Sequence, residues 1–347
     1  MSKNQEKSGR KGLKIFGIIV LILVILLVLI VGSLFMFINN KLSKIQQVEI
    51  DESDLSVSSQ VEENLSGYRN IALFGIDSRD SSLGKGNRSD CIIIASINND
   101  TKEVKLISVY RDTYVNIEGH GLDKITHAYS YGEAPLAIKT LNENFDLNIT
   151  EFATVNFDAV AEAINALGGV TIDVQPEEVK YINSYIDETS KVTGLTTEKV
   201  KSSGAQTLDG VQAVAYSRIR YTEGGDYKRA ERMRTVVQAM VEKFKTKSIG
   251  EMNQIIDKVL PEVYTNITAS DIFSLLPSVA SFKVTDSIGW PYETKGITLD
   301  RWYGVPVTLE SNVKKLHEEA FGETDYVPSD RVKEISNQII EKTGYTN

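Results

Sequence analysis

The chain has 347 residues, of which 24% are charged and 41% hydrophobic, and its net charge is −9. This acidic balance argues against a nucleic-acid binder, because such proteins normally carry a basic patch on a basic domain. The single cysteine, Cys91, cannot form an internal disulfide, and it lies in an apolar run where a small core residue is expected. The three histidines are scattered without metal-ligand spacing, so a zinc site or a Ser-His-Asp hydrolase is poorly supported.

Residues 15–38 form an apolar segment that is interrupted only by glycine and serine. The segment exceeds the roughly 20 residues that a membrane-spanning helix needs, is too long for a signal-peptide core and precedes no small-residue cleavage pattern. Residues 1–14 are mainly basic, whereas the chain turns acidic soon after the segment, which by the positive-inside rule puts the N-terminus in the cytoplasm. We therefore predict a single-pass anchor in the cell membrane, a polar linker at residues 39–67 and an extracellular domain.

Beyond the linker, short apolar runs alternate with helical patterns, which is typical of an α/β domain with a largely buried sheet covered by helices. Gly168 and Gly169 end one helix, because glycine tolerates the left-handed conformation there, and the strand that follows is expected to return to the sheet. The pattern predicts strands at 71–76, 91–97, 104–109, 152–156 and 170–174, and helices at 135–145, 158–167 and 226–247.

Arginine stands beside aspartate four times between residues 77 and 229. A guanidinium presents a planar fork of donors that binds two oxygens of a phosphate at once. Carboxylates would repel that phosphate unless a hard divalent cation such as Mg2+ lay between the two groups, since this ion takes carboxylates together with substrate phosphates. The alternative is a set of structural ion pairs, but four pairs in one domain favour a phosphate site. The pairs are Asp77 with Arg79, Arg88 with Asp90, Arg111 with Asp112, and Asp226 with Arg229.

Three of these pairs flank predicted strands. The pairs that contain Asp77 and Arg111 directly follow the first and third strands, and the pair that contains Arg88 directly precedes the second. Ligands of α/β sheets gather outside the carboxyl ends of the strands. A hairpin between the first two strands, with its turn at residues 84–86, would therefore bring the three pairs together.

The predicted helix at 226–247 carries two arginines on its apolar side. Arg229 and Arg232 continue the stripe formed by Met233, Val236, Met240 and Phe244, so both should point inward. They also lie in the first turns of the helix, where a bound anion would be favoured. The alternative is pairing with a buried carboxylate such as Asp77 or Asp112. Arg234 lies away from the stripe and is expected to be solvated.

A series of motifs in order along the chain resembles the LytR-CpsA-Psr family, whose members attach anionic polymers to the Gram-positive cell wall. The match covers roughly residues 68–245 and follows the apolar anchor. The motifs are Phe74-Gly-Ile-Asp-Ser-Arg79, Arg88-Ser-Asp90, Ile107-Ser-Val-Tyr-Arg-Asp-Thr113, Asp123-Lys-Ile-Thr-His-Ala128, Val155-Asn-Phe157, Ala166-Leu-Gly-Gly-Val170, Leu208-Asp-Gly-Val-Gln-Ala213, Tyr216-Ser-Arg-Ile-Arg220 and Asp226-Tyr-Lys-Arg-Ala-Glu-Arg232.

The resemblance implies a central mixed β-sheet flanked by helices in a domain at residues 68–322, with a C-terminal tail at 323–347. It implies a Mg2+-dependent phosphotransferase that moves a glycopolymer from a polyprenyl-pyrophosphate carrier to a peptidoglycan sugar hydroxyl and forms a phosphodiester. Its partners would be these two substrates and the membrane, without nucleic acid. Carried over residue by residue, it makes Asp77 and Asp90 the Mg2+ ligands, and makes pyrophosphate-binding residues of Arg79, Arg88, Arg111, Arg218, Arg220, Arg229 and Arg232.

Catalysis by such a site would rest mainly on positioning and charge stabilisation, with Arg111 in contact with the reacting phosphate. Asp112 is the candidate general base for the incoming hydroxyl, although it could equally hold Arg111 in place. Three departures from the family pattern, Tyr110, Lys228 and the Met233-Arg234 pair, are expected to alter the detail of the pocket.

The sequence leaves open where a polyprenyl tail would bind and which of three activities the site serves. The helices at 135–145 and 158–167 could line an apolar groove for the polyprenyl tail or could be ordinary core. The same site could serve a Mg2+-dependent hydrolase that cuts the carrier pyrophosphate with water. A third possibility is a non-catalytic module that binds lipid-linked glycans and regulates wall assembly.

Overall fold

A computed structural model of the chain describes residues 46–76, 86–285 and 287–346. The predicted anchor at 15–38 lies outside these residues. Within the described ranges, none of the helices combines the length and the apolar character that crossing a membrane takes. The strands are β1 (Gln46–Gln47), β2 (Tyr68–Ile76), β3 (Ser89–Asn98), β4 (Glu103–Val109), β5 (Tyr114–Ile117), β6 (Gly121–Lys124), β7 (Glu151–Val155), β8 (Val170–Val174), β9 (Gly204–Leu208), β10 (Tyr264–Thr265), β11 (Lys283–Val284), β12 (Ile288–Trp290), β13 (Thr294–Thr298) and β14 (Trp302–Pro306).

A mixed sheet forms the centre of the domain, in the strand order β1-β10-β7-β2-β3-β4-β11, with β12 also paired to β4. β2, β3 and β4 are antiparallel neighbours, whereas β7 runs parallel to β2, and β11 and β12 run parallel to β4. The prediction of a mixed sheet is confirmed. Because β3 runs antiparallel to both of its neighbours, β2 and β4 end at the edge where β3 begins. This edge carries Asp90 and Arg111.

Helices cover both faces of this sheet. They are α1 (Ser59–Asn64), α2 (Thr126–Phe145), α3 (Phe157–Leu167), α4 (Pro176–Thr193), α5 (Gly210–Ser217), α6 (Gly225–Lys245), α7 (Ile249–Val259), α8 (Ala269–Leu275), α9 (Leu309–Leu316) and α10 (Asp330–Thr343), with 3-10 turns at Glu52–Leu55, Leu260–Glu262 and Leu276–Ser281 and a π turn at His317–Phe321. Successive strand side chains point to opposite faces. Accordingly, Ile92 and Ile94 pack in one core cluster with α2 and α10, while Ile93 and Ala95 pack with Met233 of α6 in another.

Helix α2 begins earlier than the predicted start at Pro135. The structure extends it back to Thr126 through a kink, where Gly132 and Glu133 leave helical geometry and Glu133 has a φ of 56°. A proline suits the first turn of a helix, since its missing N–H group has no intrahelical partner there. The proline therefore begins the second half of a kinked helix, and the pattern before it was too irregular to reveal the first half.

The strand at 170–174 does not join the central sheet, so that prediction is wrong. It pairs with β9 in a separate two-stranded sheet. Its side chains alternate, with Val170 and Ile172 buried while Thr171 and Asp173 are exposed. A central strand covered by helices would be buried on both faces. The alternation was therefore the signal that this strand lies outside the main sheet.

Both ends of the described chain belong to the folded unit. Leu55 and Leu65, within the predicted linker at 39–67, are fully buried in the main core. Val332 and Ile335 of α10, within the predicted tail at 323–347, are fully buried in the same core. The described residues from 46 onward therefore form one compact unit, and neither residue 67 nor residue 322 marks an edge of it.

Candidate functional site

The start of β3 and the end of β4 bring the first charged pair of the site together. Asp90 is the second residue of β3, and Arg111 lies two residues beyond Val109, the last residue of β4. The Nη1 atom of Arg111 donates to Oδ2 of Asp90 at 2.5 Å. The Nε atom of Arg111 is buried and has no hydrogen-bond partner among the described residues. The guanidinium thus keeps an unused donor beside a carboxylate.

Helix α6 places Arg229 close to Asp90 and Arg111. Its side chain is only 4% exposed, and its Nη2 atom lies 3.1 Å from Oδ1 of Asp226. In the part of the chain that the structure describes, its Nε atom is buried without a partner. Burial lowers the pKa of Arg229, Asp226 and Asp90 oppose this shift, and the positive charges of Arg220 and Arg111 add to it. An anion bound beside Arg229 would relieve both the desolvation and the repulsion.

Arg218 and Arg220 line a cleft of about 50 Å³ together with Asp90 and Arg229. Arg218 donates to Glu188 at 3.0 Å and to Thr189 at 3.1 Å, so part of its guanidinium is already engaged. Arg220 is exposed. The structure therefore brings together five predicted site residues, which are Asp90, Arg111, Arg218, Arg220 and Arg229.

The remaining predicted residues are placed differently. Asp77 and Arg79 lie outside the described residues. Arg88 directly precedes β3, is exposed, and does not line this cleft. Arg232 is 2% exposed, and its guanidinium donates to Glu178 at 2.7 Å, to the backbone of Ile219 and to Thr222. The inward orientation predicted for Arg229 and Arg232 is confirmed, but Arg232 meets a carboxylate rather than the cleft.

Arg234 is buried, so the prediction that it is solvated is wrong. Its side chain is 8% exposed, and its Nε and Nη1 atoms have no hydrogen-bond partner among the described residues. Burial lowers its pKa, and the nearby Tyr110 and Glu231 oppose that shift. Helix α6 therefore buries a wider face than the apolar stripe indicates, because Tyr110 after β4 lies against it.

Asp112, the candidate base, sits between two cations. Its Oδ1 atom lies 2.7 Å from Nζ of Lys124 and 4.0 Å from Nε of Arg111. Its backbone oxygen accepts from the N–H of Gly304 at 2.9 Å. The lysine partner lies in the Asp123-Lys-Ile-Thr-His-Ala128 motif, to which the sequence assigned no role. Asp112 can therefore accept a proton near the cleft and can also hold Arg111 and the β14 strand in place.

Two larger cavities meet the arginine cleft at Met233. A cavity of about 210 Å³ has a mostly apolar surface, and we call it the polar cavity for the charged side chains in its lining, such as Arg111, Asp112 and Arg229. Tyr227 and Trp302 also stand on its wall. An apolar cavity of about 290 Å³ lies between the sheet and helices α3 and α6 and is lined by residues such as Leu73, Val160 and Val237. Helix α3 thus lines an apolar cavity, whereas the half of α2 at 135–145 packs on the opposite face of the sheet.

A Mg2+ site fits the residues only in part. Asp90 supplies a carboxylate at the junction of the polar cavity and the arginine cleft, which is the oxygen chemistry that this ion prefers. Within the described ranges there is no group of three or more potential ligand side chains. The second predicted ligand, Asp77, is not among the described residues, so Mg2+ binding remains a prediction.

Cys91 lines both the polar and the apolar cavity, yet it is poorly suited to be a nucleophile. Burial raises the pKa of its thiol to about 12, against the opposing charges of Arg229 and Arg234. Because the thiolate is the reactive form, we expect alkylation by iodoacetamide at pH 8 to be about a thousandfold slower in the native protein than in the urea-unfolded chain. Mass spectrometry over time measures both rates. Equal rates would show that the thiol is exposed and normally acidic.

Sequence reasoning missed Glu178, Lys124, Tyr227 and Trp302. Glu178 precedes its partner Arg232 by 54 residues, and no local pattern links the two. Trp302 reaches the site on the β13–β14 hairpin, which is tied to residue 113 by a bridge with Gly304. For Lys124 and Tyr227 a signal was present, because each lies inside a motif already noted. Contacts between distant segments pair Glu178 with Arg232 and bring Trp302 to the site.

The chain is similar to proteins of known sequence and structure. A sequence profile of the LytR_cpsA_psr family matches residues 33–314. The polyisoprenyl-teichoic acid–peptidoglycan teichoic acid transferase TagT of Bacillus subtilis (strain 168) is 32% identical over 306 residues, which cover 85% of this chain and 92% of that protein. TagU of Enterococcus faecalis (strain ATCC 700802 / V583), which has the same enzyme name, is 32% identical over 268 residues, 76% of this chain and 82% of that protein.

Solved structures agree with these relatives. The structure of TagT bound to LIIa-WTA superimposes with a TM-score of 0.55 at 26% identity, over 81% of this chain and 92% of that one. The family profile covers well over half of the chain. The chain therefore belongs to the LytR-CpsA-Psr family.

Proposed function

We propose that this protein is a phosphotransferase that moves an anionic glycopolymer from a polyprenyl-pyrophosphate carrier to a sugar hydroxyl of peptidoglycan. One observation carries the proposal. Arg111 and Arg229 each keep a buried Nε donor without a partner among the described residues, beside a cleft that Arg218 and Arg220 also approach. Leaving such donors unpaired costs about 1–3 kcal/mol each, and more when the group is charged, so the arrangement favours an anionic ligand.

The neighbouring cavities match the other parts of such a donor. The apolar cavity adjoins the arginine cleft at Phe157 and Met233, so a lipid tail in it would leave its phosphates among the arginines. Burial of apolar chain contributes about 0.8 kcal/mol for each CH2 group, which makes this cavity suited to a polyprenyl group. The names of TagT and TagU, and the LIIa-WTA ligand of TagT, support a lipid-linked wall polymer as the donor.

In the proposed reaction, the acceptor hydroxyl oxygen forms a bond to the phosphorus that carries the polymer. The bond from this phosphorus to the bridging oxygen breaks, and its electron pair leaves with polyprenyl phosphate. Arg111, Arg218, Arg220 and Arg229 hold the pyrophosphate and stabilise the charge that develops on its oxygens. Asp112 accepts the proton of the hydroxyl while Lys124 and Arg111 orient its carboxylate.

A bound Mg2+ would offset the charge of the pyrophosphate. Asp90 would hold it at the junction of the polar cavity and the cleft, with Asp77 as the predicted second ligand. Asp90 also accepts from Arg111, so in the proposed site it orients one of the arginines as well. We further propose that residues 15–38 anchor the chain and that the described domain acts outside the cell membrane.

The decisive experiment incubates the detergent-solubilised full-length chain with Mg2+, a polyprenyl-pyrophosphate-linked saccharide and peptidoglycan fragments. Mass spectrometry follows the products. We expect saccharide phosphate on the fragment, with its formation lost on adding EDTA and in the Arg111→Ala variant. Free saccharide phosphate with polyprenyl phosphate would instead establish the hydrolase. Binding without any metal-dependent product from several donors would favour the non-catalytic module and overturn the proposal.

A further inference from the structure

The polar cavity has a feature that pyrophosphate binding does not require. Two of the large exposed apolar side chains of the described residues, Tyr227 and Trp302, stand on its wall at 39% and 45% exposure. Aromatic rings bury a large apolar area at little entropic cost, and they suit a ligand with one apolar and one polar face. The C–H face of a sugar ring is such a ligand surface, because its hydroxyls point outward around the ring.

Two glycines of the β13–β14 hairpin leave the space that the Trp302 ring occupies. Gly296 and Gly304 are opposite each other in the β13–β14 hairpin. A Cβ atom on Gly296 would lie 2.8 Å from Nε1 of Trp302, and one on Gly304 would lie 3.6 Å from its ring. The indole therefore lies across the glycine pair, where a side chain on Gly296 would displace it. The backbone N–H of Gly304 donates to the backbone oxygen of Asp112, so the strand that carries Trp302 is hydrogen-bonded to the residue that supplies the candidate base.

Tyr227 is held in a similar way. Its ring packs edge-on against Tyr110, with the ring centroids 4.5 Å apart. The hydroxyl of Tyr110 occupies the space that a Cβ atom of Gly289 would need, at 2.1 Å. Tyr110 is one of the departures from the family pattern, and its place against both β12 and Tyr227 gives this departure a structural role. Both exposed rings are thus set before any ligand binds.

The two cavities on either side of Arg229 differ in their charged residues and therefore suit different ligands. The arginine cleft, with Arg218 and Arg220, suits an anion. The polar cavity shares Asp90 and Arg229 with the cleft. It adds one arginine, Arg111, against the carboxylates of Asp112 and Asp226, which disfavour an anion but accept hydrogen bonds from hydroxyls. Its volume of about 210 Å³ is below the roughly 300–1,000 Å³ of pockets for drug-sized ligands, so it suits a single sugar unit.

We infer that the polar cavity is the acceptor site, in which the peptidoglycan sugar that bears the attacking hydroxyl packs on Trp302 and Tyr227. The inference rests on the proposed function, which it deepens by placing the second substrate. In-line transfer puts the attacking and leaving oxygens on opposite sides of the phosphorus. With the lipid phosphate leaving toward the apolar cavity, the hydroxyl enters from the side of Asp112, to which its proton passes as the new P–O bond forms.

Binding to this site has a readout that does not depend on turnover. The chain contains two tryptophans, of which Trp290 is fully buried and Trp302 is exposed. Full-length protein labelled with 5-fluorotryptophan should give two fluorine signals, and a soluble paramagnetic agent identifies the exposed one. We expect peptidoglycan disaccharide-peptide fragments to shift the Trp302 signal and to leave the Trp290 signal in place. An unmoved Trp302 signal at millimolar fragment would overturn the inference.

Kinetics distinguish the acceptor from the donor sugar. We expect Trp302→Ala to raise the KM for the acceptor at least tenfold and to change the KM for the lipid-linked donor less than twofold, with partial recovery in Trp302→Phe. Tyr221→Ala, which removes an exposed ring outside the polar cavity, should leave the acceptor KM unchanged. A raised donor KM alone would assign the cavity to the donor glycan and overturn the inference. If the wild type forms no transfer product, the proposed function fails, while the fluorine titration still decides whether the cavity binds an acceptor sugar.

Discussion

Replacing Arg229 with alanine should lower the transfer rate by about a thousandfold, in the range that removal of a charge-stabilising arginine costs phosphoryl-transfer enzymes. Arg229 lines both the polar cavity and the arginine cleft, and burial has already removed water from its guanidinium. The anion would be the partner that its Nε lacks. Single-turnover kinetics with a lipid-linked saccharide measure the rate, and titration with pyrophosphate alone measures the loss of affinity.

Two controls define what this arginine contributes. Arg229→Lys keeps the charge but loses the planar fork, so its rate should lie between those of the wild type and Arg229→Ala. An unchanged melting temperature in Arg229→Ala would separate lost catalysis from lost folding. A fall in rate of less than tenfold, with unchanged pyrophosphate affinity, would show that the pyrophosphate binds elsewhere.

Replacing Arg232 with alanine should chiefly destabilise the fold. Its partner Glu178 is as deeply buried as Arg232 itself, and it also accepts from the backbone N–H of Gln175 at the start of α4. Removing one member of a buried ion pair typically costs about 3–5 kcal/mol, because the other charge stays buried without its partner. Urea unfolding followed by circular dichroism measures the change in the free energy of unfolding.

The double variant Arg232→Met with Glu178→Leu tests the cause of that loss. Replacing both charges with apolar groups removes the stranded carboxylate, so most of the stability should return. In this variant the pyrophosphate affinity should stay near that of the wild type. If Arg232→Ala instead keeps its stability and loses pyrophosphate binding, Arg232 belongs to the phosphate site, as the family resemblance implies.

Arg229 and Arg232 show what the local sequence pattern could predict about the site and what it could not. Both lie on the same side of α6, and the apolar stripe was enough to predict that both point inward. Helical periodicity predicts the direction in which a side chain points, but it does not predict which groups the side chain contacts. The groups around Arg229 come from β3, β4 and the segment after α5, whereas Arg232 meets a carboxylate from α4. Distinguishing the two required the packing of these elements.

The sequence predicted where the site lies better than it predicted which residues surround it. Asp90 and Arg111 were expected at one sheet edge because strand ends follow from short apolar runs, and the antiparallel order of β2, β3 and β4 brings them there. Arg234 was predicted wrongly because its cover, Tyr110, comes from a distant strand end. Strand β8 was predicted as a strand but was assigned to the wrong sheet, although its alternating side chains already indicated one solvent-facing side.

By itself, the sequence determined the α/β class, the family and the arginine and aspartate residues that could serve a phosphate, because these depend on periodicity, motif order and side-chain chemistry. Only the tertiary structure decided which arginines face the cleft, where an apolar cavity lies and that Tyr227 and Trp302 stand beside Asp112. Those relations join residues that are far apart in the chain. They follow from the packing of the sheet, the helices and the β13–β14 hairpin against one another, which local sequence patterns do not predict.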